Sequence, residues 1–219
     1  LSIGVGGEGL GPDRVRTVPF GEDELEEFEF MTPRNSPSVL DNGHYLPFPG
    51  GQPWEGRMFW DGRERSLEKQ ARAPLRSRDE MKHDAYGGPE AVTRVCDQLR
   101  SIPEYVDLFK AAFVDVRRTD DITFVHVANA IAAFEETLVT PNSRFDKWLK
   151  GDDGAITKTE KEGYELFKAK GCTTCHMGAA VGASLFQKMG LVEPYPLEDK
   201  GRGEVTGVEA DDYFFKVPS

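Results

Sequence analysis

The sequence predicts a mainly α-helical protein with a loop-dominated N-terminal part. From Ser66 onwards, several segments repeat apolar residues at the i, i+3, i+4 spacing of a helix. The first 60 residues are rich in Gly and Pro, and no stretch of useful length alternates as a β-strand does. The helical segments are PEAVTRVCDQLRS, PEYVDLFKAAF, DDITFVHVANAIAAFEETL and NSRFDKWLK.

Several individual elements can be predicted from local patterns. The acidic run GEDELEEFEF is predicted to be a solvated surface loop, with a docking site for a basic partner as the alternative. Cys96 takes an apolar position of its helix and is predicted to be a small buried hydrophobe. His126 is predicted to be a satisfied core or boundary side chain. The third helical segment carries a predicted buried stripe of Ile122, Val125, Ala128, Ala132 and Leu138.

A further helix is predicted from Thr157 to Lys170, directly before the sequence CTTCH. Thr157 and Glu160 have the spacing of a capping box, and Gly171 ends the helical pattern. The segment KGDDGA, residues 150–155, has the composition of a linker and divides the chain into regions 1–150 and 151–219.

Composition limits the partners of the chain. A formal net charge of −11 over 219 residues argues against nucleic acid and favours basic partners. The sequence has no membrane-spanning run and no signal peptide at its start. Because Leu1 is not an initiator methionine, we expect either a processed chain or a fragment. Three cysteines are too few for a disulfide framework.

The stretch GCTTCHMG carries the strongest chemical signal. It contains the C-x-x-C-H pattern of c-type haem attachment, formed by Cys172, Cys175 and His176. Two thiols three residues apart on a helical turn face the same side, so each can form a thioether to one haem vinyl group. The histidine that follows is then held beneath the iron as an axial ligand. A thioredoxin-like motif would need a βαβ context, and a structural zinc site would need four nearby ligands.

The second axial ligand is not evident. Met177 and Met189 follow the anchor too closely, and no Met or His comes after Met189. Either the iron is five-coordinate or the chain stops before its ligand. Because covalent haem of this kind is assembled outside the cytoplasm, we expect a periplasmic protein.

Several segments in order resemble one family. They are PRNSPSVL, FWDGRERSLEKQARAPLRSRDEMK, AFEETLVTPNSRFDKWLKGD, GYELFKAKGCTTCHMGAAVGASLFQKMGLV and DKGRGEVTGVEADDYFFKVPS. Together they resemble the bacterial di-haem cytochrome c peroxidases and the related enzymes that mature methylamine dehydrogenase. The resemblance covers roughly residues 31–219.

This resemblance implies cytochrome c-like helical haem domains. In the family a C-terminal haem collects electrons and an N-terminal haem reacts with peroxide. Residues 1–150 then match the remainder of the N-terminal, peroxidatic domain without its haem anchor. Residues 151–219 match the start of the C-terminal, electron-transfer domain. By this comparison the chain is a fragment that also lacks the distal ligand of the C-terminal haem.

The resemblance also assigns roles to individual residues. Trp60 in FWDGR matches a tryptophan between the two haems that aids electron transfer. Gln70, Pro74 and Glu80 match residues that line the distal face of the peroxidatic haem, where a carboxylate can relay a proton and an amide can orient peroxide. Asn35 matches the side-chain ligand of a calcium ion. Without the resemblance, Trp60 would be read as a core residue and Glu80 as a solvated charge.

One departure concerns the peroxidatic iron. Many family members place a capping histidine just after the segment that SIG resembles, and here Val5 follows. His44 is the alternative cap. The leading hypothesis is a peroxidase that reduces hydrogen peroxide with electrons from a small protein such as a cytochrome c or a cupredoxin. The alternatives are an oxidase of a partner protein's side chains, mildly favoured by Val5, and a one-haem electron carrier. The resemblance also implies a homodimer.

Overall fold

The computed structural model shows a mainly helical chain, which confirms the predicted fold class. The helices are α1 (Leu67–Gln70), α2 (Arg72–Arg76), α3 (Gly88–Arg100), α4 (Pro103–Ala112), α5 (Phe124–Glu136), α6 (Arg144–Leu149), α7 (Lys158–Ala169) and α8 (Arg202–Thr206). The strands are β1 (Val15–Phe20), β2 (Glu24–Glu29), β3 (Phe186–Lys188) and β4 (Phe214–Lys216). The structure describes residues 15–20 and 24–29 by their backbone, and residues 34, 37–41, 58–77, 80–82, 86–183, 185–195 and 198–218. No helix in these ranges is long and apolar enough to cross a membrane.

The strands β1 and β2 correct one prediction. The acidic run was predicted to be a loop, but the backbone of Glu24–Glu29 pairs antiparallel with Val15–Phe20. The pairing runs from Val15 opposite Glu29 to Phe20 opposite Glu24. A connection of three residues is short enough to join two antiparallel strands. The strand was not predicted from the sequence because the run is rich in Glu, which has a low intrinsic preference for strands.

The chain separates into two compact units. The first contains Glu68–Ala132 together with residues from Leu1–Ser38. The second contains Val39–Leu67 and Ala133–Ser219. The division between two haem domains at residue 150 stays a prediction.

The first unit is built on helices α2 to α5. Proline stands in the first turn of both α3 and α4, where a missing N–H costs no hydrogen bond. The core side chains are Ala71, Leu75, Cys96, Val106, Phe109, Val116, Ile122, Phe124, Val127 and Ala128. Cys96 is buried among them, as predicted. The Arg100 guanidinium donates from Nε to the carbonyl oxygen of Ile122 at 3.0 Å and so fastens the chain before α5 to the end of α3.

The buried face of α5 differs from the predicted stripe. Val125 is 58% exposed, whereas Ala128 and Ala132 are buried. The helix begins at Phe124, so Ile122 precedes it and does not set its phase. The residues that face the core are instead Phe124, Val127, Ala128, Ile131 and Ala132, at positions i, i+3, i+4, i+7 and i+8.

His126 is a satisfied side chain at the start of α5, as predicted. The backbone N–H of Thr123 donates to Nδ1 at 3.0 Å. Nε2 therefore carries the proton and donates to the Asp115 carboxylate at 3.2 Å. The edge of the ring packs against Phe113, with ring centroids 5.0 Å apart.

In the second unit α6 packs against α7. The rings of Phe145, Trp148 and Tyr164 contact one another, with centroids 5.1 to 5.6 Å apart. Arg144 forms a two-pronged ion pair with Glu160, at 2.9 and 2.6 Å. Glu160 also accepts the backbone N–H of Thr157 at 2.6 Å, while the Thr157 hydroxyl accepts the N–H of Glu160 at 3.3 Å. This is the predicted capping box, and it begins the helix that leads to the cysteine pair.

Candidate functional site

The two cysteines and the histidine lie on one helical turn after α7. Gly171 has φ +77, a left-handed conformation that ends the helix and lets the chain turn into residues 172–174. The backbone N–H groups of Cys175 and His176 both donate to the carbonyl oxygen of Cys172, at 3.2 and 2.9 Å. Both thiols are free and half-buried. Residues three apart on such a turn lie on the same side of the chain, so the backbone is compatible with the predicted anchor.

The imidazole of His176 is held in one orientation. Its Nδ1 lies 2.9 Å from the carbonyl oxygen of Val181, and a carbonyl can only accept, so Nδ1 carries the proton. In the neutral imidazole the other nitrogen, Nε2, then carries no proton and can bind a metal. Phe167 of α7 flanks the ring, with centroids 6.1 Å apart.

The carbonyl that orients His176 belongs to Val181, a residue with a strained backbone conformation. Val181 has φ +50, which is rare for a β-branched residue. The N–H of Val181 donates to the carbonyl oxygen of Gly178 at 3.1 Å. The N–H of Gly182 donates to the carbonyl oxygen of Met177 at 3.0 Å. Strained residues of this kind cluster at functional sites, where the surrounding contacts compensate their cost.

The residues around this turn fit a c-type haem. Two free thiols, an imidazole with an available Nε2 and nearby apolar side chains are the groups such a haem requires. The exposed apolar side chains before and after the anchor along the chain include Leu166, Met177, Val181 and Met189. A porphyrin ring is an apolar surface of the kind that such side chains cover.

Trp60 lies in a tight turn of the second unit. The N–H of Gly62 donates to the carbonyl oxygen of Phe59 at 3.3 Å, and Met58 pairs with Glu64 on either side. Trp60 is therefore the second residue of a β-turn, and its side chain is half-buried. Its carbonyl oxygen accepts the N–H of Lys216 in β4 at 2.7 Å.

Gln70, Pro74 and Glu80 lie together in a short segment of the first unit. Because Pro74 has no N–H, the carbonyl oxygen of Gln70 lacks its usual i+4 helical hydrogen bond. The helix is interrupted at Ala71, between α1 and α2. Gln70 is the last residue of α1, and Pro74 is the third residue of α2. The carbonyl oxygen of Pro74 also accepts the N–H of Met81 at 3.2 Å, which brings the chain at Glu80 back beside it. Gln70 is half-buried and Glu80 is exposed.

Asn35, Val5 and His44 lie outside the described residues. The predicted calcium ligand and the predicted distal cap therefore remain predictions. Sequence reasoning missed a group of buried charged side chains in the second unit, Asp61, Arg202 and Lys216. The signal that could have indicated them is the pair of glycines flanking the arginine in KGRGE, since paired glycines often allow a close approach of chains.

Comparisons with known proteins agree on one family. The family model described as di-haem cytochrome c peroxidase matches residues 11–154, a range that includes Trp60, Gln70, Pro74 and Glu80. The cytochrome c551 peroxidase of Nitrosomonas europaea is 42% identical over 189 residues, which are 85% of this chain and 50% of that protein. The methylamine utilization protein MauG of Methylorubrum extorquens is 35% identical over 208 residues, 94% of this chain and 50% of that protein.

A solved structure adds to this agreement. It is the crystal structure of a MauG-like protein associated with microbial copper homeostasis, with a TM-score of 0.66 and 26% sequence identity. The match covers 93% of this chain and 58% of that one. The chain thus spans about half the length of the two relatives above.

Proposed function

Because the chain belongs to the di-haem cytochrome c peroxidase family, we propose that the protein reduces hydrogen peroxide to water with electrons from a small donor protein. Trp60 would carry electrons from a haem held by the second unit to a second haem. There Glu80 and Gln70 assist the reaction with peroxide. The observation that carries this proposal is the oriented His176 on the same turn as two free thiols.

Three side chains of the second unit would hold haem c. Cys172 and Cys175 would form the thioethers, and the Nε2 atom of His176 would bind the iron. The carbonyl oxygen of Val181 keeps the proton on Nδ1 and fixes the plane of the ring. When bound, the haem supplies one-electron redox chemistry that no side chain of the chain can supply.

Glu80 and Gln70 act on the substrate. Reduction of one hydrogen peroxide to two waters consumes two electrons and two protons, and the O–O bond breaks most easily when a proton moves onto the leaving oxygen. The exposed carboxylate of Glu80 accepts a proton from one peroxide oxygen and delivers it to the other. The Gln70 amide donates a hydrogen bond that orients the peroxide.

The remaining features follow from the same proposal. Residues 1–150 belong to the peroxidatic haem domain, and residues 151–219 belong to the electron-transfer domain. The protein works in the periplasm, and its donor is a small cytochrome c or cupredoxin. Asn35 binds calcium, and two copies form a dimer.

A second candidate function is the oxidation of side chains in a partner protein. It is supported by the long match to a MauG protein, which covers 94% of this chain. In this case the electrons that reduce peroxide would come from side chains of the partner protein rather than from a small donor. The two functions differ in what is consumed when peroxide is added: reduced cytochrome in the first case, and a residue of the partner in the second.

The test of the leading proposal is peroxide turnover by a Glu80→Gln variant of the native haem-loaded protein. We expect its rate of reduced-cytochrome oxidation to fall about 100-fold or more, because the variant loses the carboxylate that would transfer a proton between the two peroxide oxygens. Glu104→Gln is the matched control, since Glu104 is an exposed glutamate of the same unit. Equal turnover by the wild type and Glu80→Gln would contradict the role of Glu80. No turnover by the wild type with any small donor would favour the second function.

A further inference from the structure

The turn that carries Trp60 is fastened through both of its central carbonyl groups. In a β-turn the carbonyls of the two central residues usually face water, because they take no part in the turn's own hydrogen bond. Here the Trp60 carbonyl accepts the N–H of Lys216 at 2.7 Å. The Asp61 carbonyl accepts Nη1 of Arg202 at 3.2 Å.

The donors to this turn are buried. Arg202 and Lys216 are each 6% exposed, and Asp61 is 4% exposed. The Asp61 carboxylate in turn accepts the backbone N–H of Arg63 at 3.0 Å and its Nη1 at 2.8 Å. Burying an arginine is costly unless its N–H groups and its planar face are satisfied, so its place beside the turn requires an explanation.

The contacts of Arg202 form a closed ring. Its guanidinium lies over the ring of Phe186, 4.8 Å from the centroid. Phe186 of β3 pairs with Lys216 of β4, and the N–H of Lys216 donates to the carbonyl oxygen of Trp60. A closed ring of contacts resists displacement of any one member more than a single hydrogen bond does.

Two glycines allow Arg202 to take this position. Gly201 has φ +59, and a Cβ there would lie 2.5 Å from the carbonyl oxygen of Phe214. A Cβ on Gly203 would meet the carboxylate of Asp212. Only glycine therefore fits on either side of the arginine, because Gly201 lies against β4 and Gly203 lies against Asp212.

We propose that Arg202 is a positioning residue for Trp60. It fixes the turn from which the indole projects, and so it sets the rate at which electrons pass through Trp60. This inference rests on the proposed electron route. Arg202 itself contacts neither substrate nor haem in this account.

The experiment uses the native haem-loaded protein and two readouts. The first is hydrogen exchange at Gly62 and Lys216, whose amides are held by the turn and by the Trp60 carbonyl. The second is the rate of electron transfer between the haems, compared with the rate at which the donor reduces the entry haem. The variants are Arg202→Gln, Arg202→Lys and Trp60→Phe, with Lys147→Gln as a control that removes an exposed cation of the same unit.

We expect Arg202→Gln to speed exchange at Gly62 and Lys216 by about tenfold, because the turn loses a buried anchor. Inter-haem transfer is expected to fall about tenfold, with reduction of the entry haem unchanged. Arg202→Lys keeps the charge but lacks the planar fork, so its losses should be smaller, and it carries the test if Arg202→Gln does not fold. The double variant Arg202→Gln/Trp60→Phe should transfer no more slowly than Trp60→Phe alone.

Three results would overturn the proposal. Unchanged exchange in the Arg202 variants would show that the turn does not depend on the arginine. Wild-type electron transfer in those variants, with transfer slowed in Trp60→Phe, would remove the positioning role and leave the route through Trp60 intact. Wild-type transfer in Trp60→Phe would instead refute the route, and the role of Arg202 with it.

Discussion

Replacing Gly201 by alanine tests the close approach that places α8 against β4. Gly201 has φ +59 and ψ −122, which a residue with a Cβ adopts at a cost of about 1 to 3 kcal/mol. The added Cβ would also lie 2.5 Å from the Phe214 carbonyl oxygen and 2.8 Å from the Phe215 ring. Overpacking of this kind costs about 1 to 3 kcal/mol more. We therefore expect Gly201→Ala to destabilise the protein by about 2 to 6 kcal/mol.

Two other glycines separate the cost of the backbone conformation from the cost of overpacking. Gly207 has φ +69 with nothing within 4 Å of the position that an added methyl group would take, so Gly207→Ala should lose only the backbone contribution of about 1 kcal/mol. Gly163 lies inside α7, also with open space around it, and Gly163→Ala should stabilise the helix by about 0.5 to 1 kcal/mol. The assay is urea unfolding of the haem-loaded protein followed by circular dichroism, and the midpoints are compared at equal slope.

The comparison between Gly201→Ala and Gly207→Ala decides the matter. A cost at Gly201 that exceeds the cost at Gly207 by more than about 1 kcal/mol supports the close approach. Equal midpoints for the two variants would refute it. In that event α8 would lie further from β4, and the buried position of Arg202 would be wrong as well.

Three further predictions concern single side chains. The pKa of Glu160 is lowered from 4.5 to about 2, by the backbone and hydroxyl of Thr157 and by the Arg144 guanidinium. The stability it contributes is therefore complete above pH 4.5 and lost as the pH falls towards 2, so the gap in Tm between wild type and Glu160→Gln should close over that range. Cys96→Ser places a hydroxyl in an apolar core and should cost about 1 to 3 kcal/mol in urea unfolding, whereas Cys96→Ala should cost less. Ile122→Val removes one methyl group from a fully buried site and should cost about 0.5 to 1.5 kcal/mol in the same assay.

Local patterns predicted the elements that depend on neighbouring residues. The capping box of Thr157 and Glu160 could be predicted because both residues lie within one helical turn. The burial of Cys96 followed from the apolar phase of its helix. The start of α5 could not be predicted, because periodicity gives the phase of a helix and not the residue at which the helix begins. Ile122 was therefore assigned to a helix that it precedes, and exposed Val125 was placed on the buried face.

The candidate site divides in the same way. The candidate haem anchor could be proposed from the sequence because its three side chains lie within five consecutive positions, 172 to 176, and its role as an anchor stays a prediction. The orientation of His176 was not, since it depends on the strained backbone of Val181. The anchoring of Trp60 was also missed, because the Arg202 donor lies 141 residues further along the chain than Asp61. Contacts over such separations follow from tertiary packing, which composition and spacing do not reveal.

The β1–β2 hairpin was missed for a different reason. Four of the six residues of β2 are glutamates, and the interpretation as a solvated loop rested on that charge. Backbone pairing with β1 offsets a weak intrinsic preference, as tertiary context often does for strands. The charge of a segment is thus a poor guide to whether its backbone is paired.

A pyridine haemochrome assay of the native protein measures its covalent haem content and so tests whether it carries the two haems of its family. It is made for the wild type, for the double variant Cys172→Ala/Cys175→Ala and for Cys96→Ala as a cysteine control. The family assignment predicts two haems in the wild type and in the control, and one in the double variant. A single haem in the wild type, or an undiminished haem content in the double variant, would contradict the account.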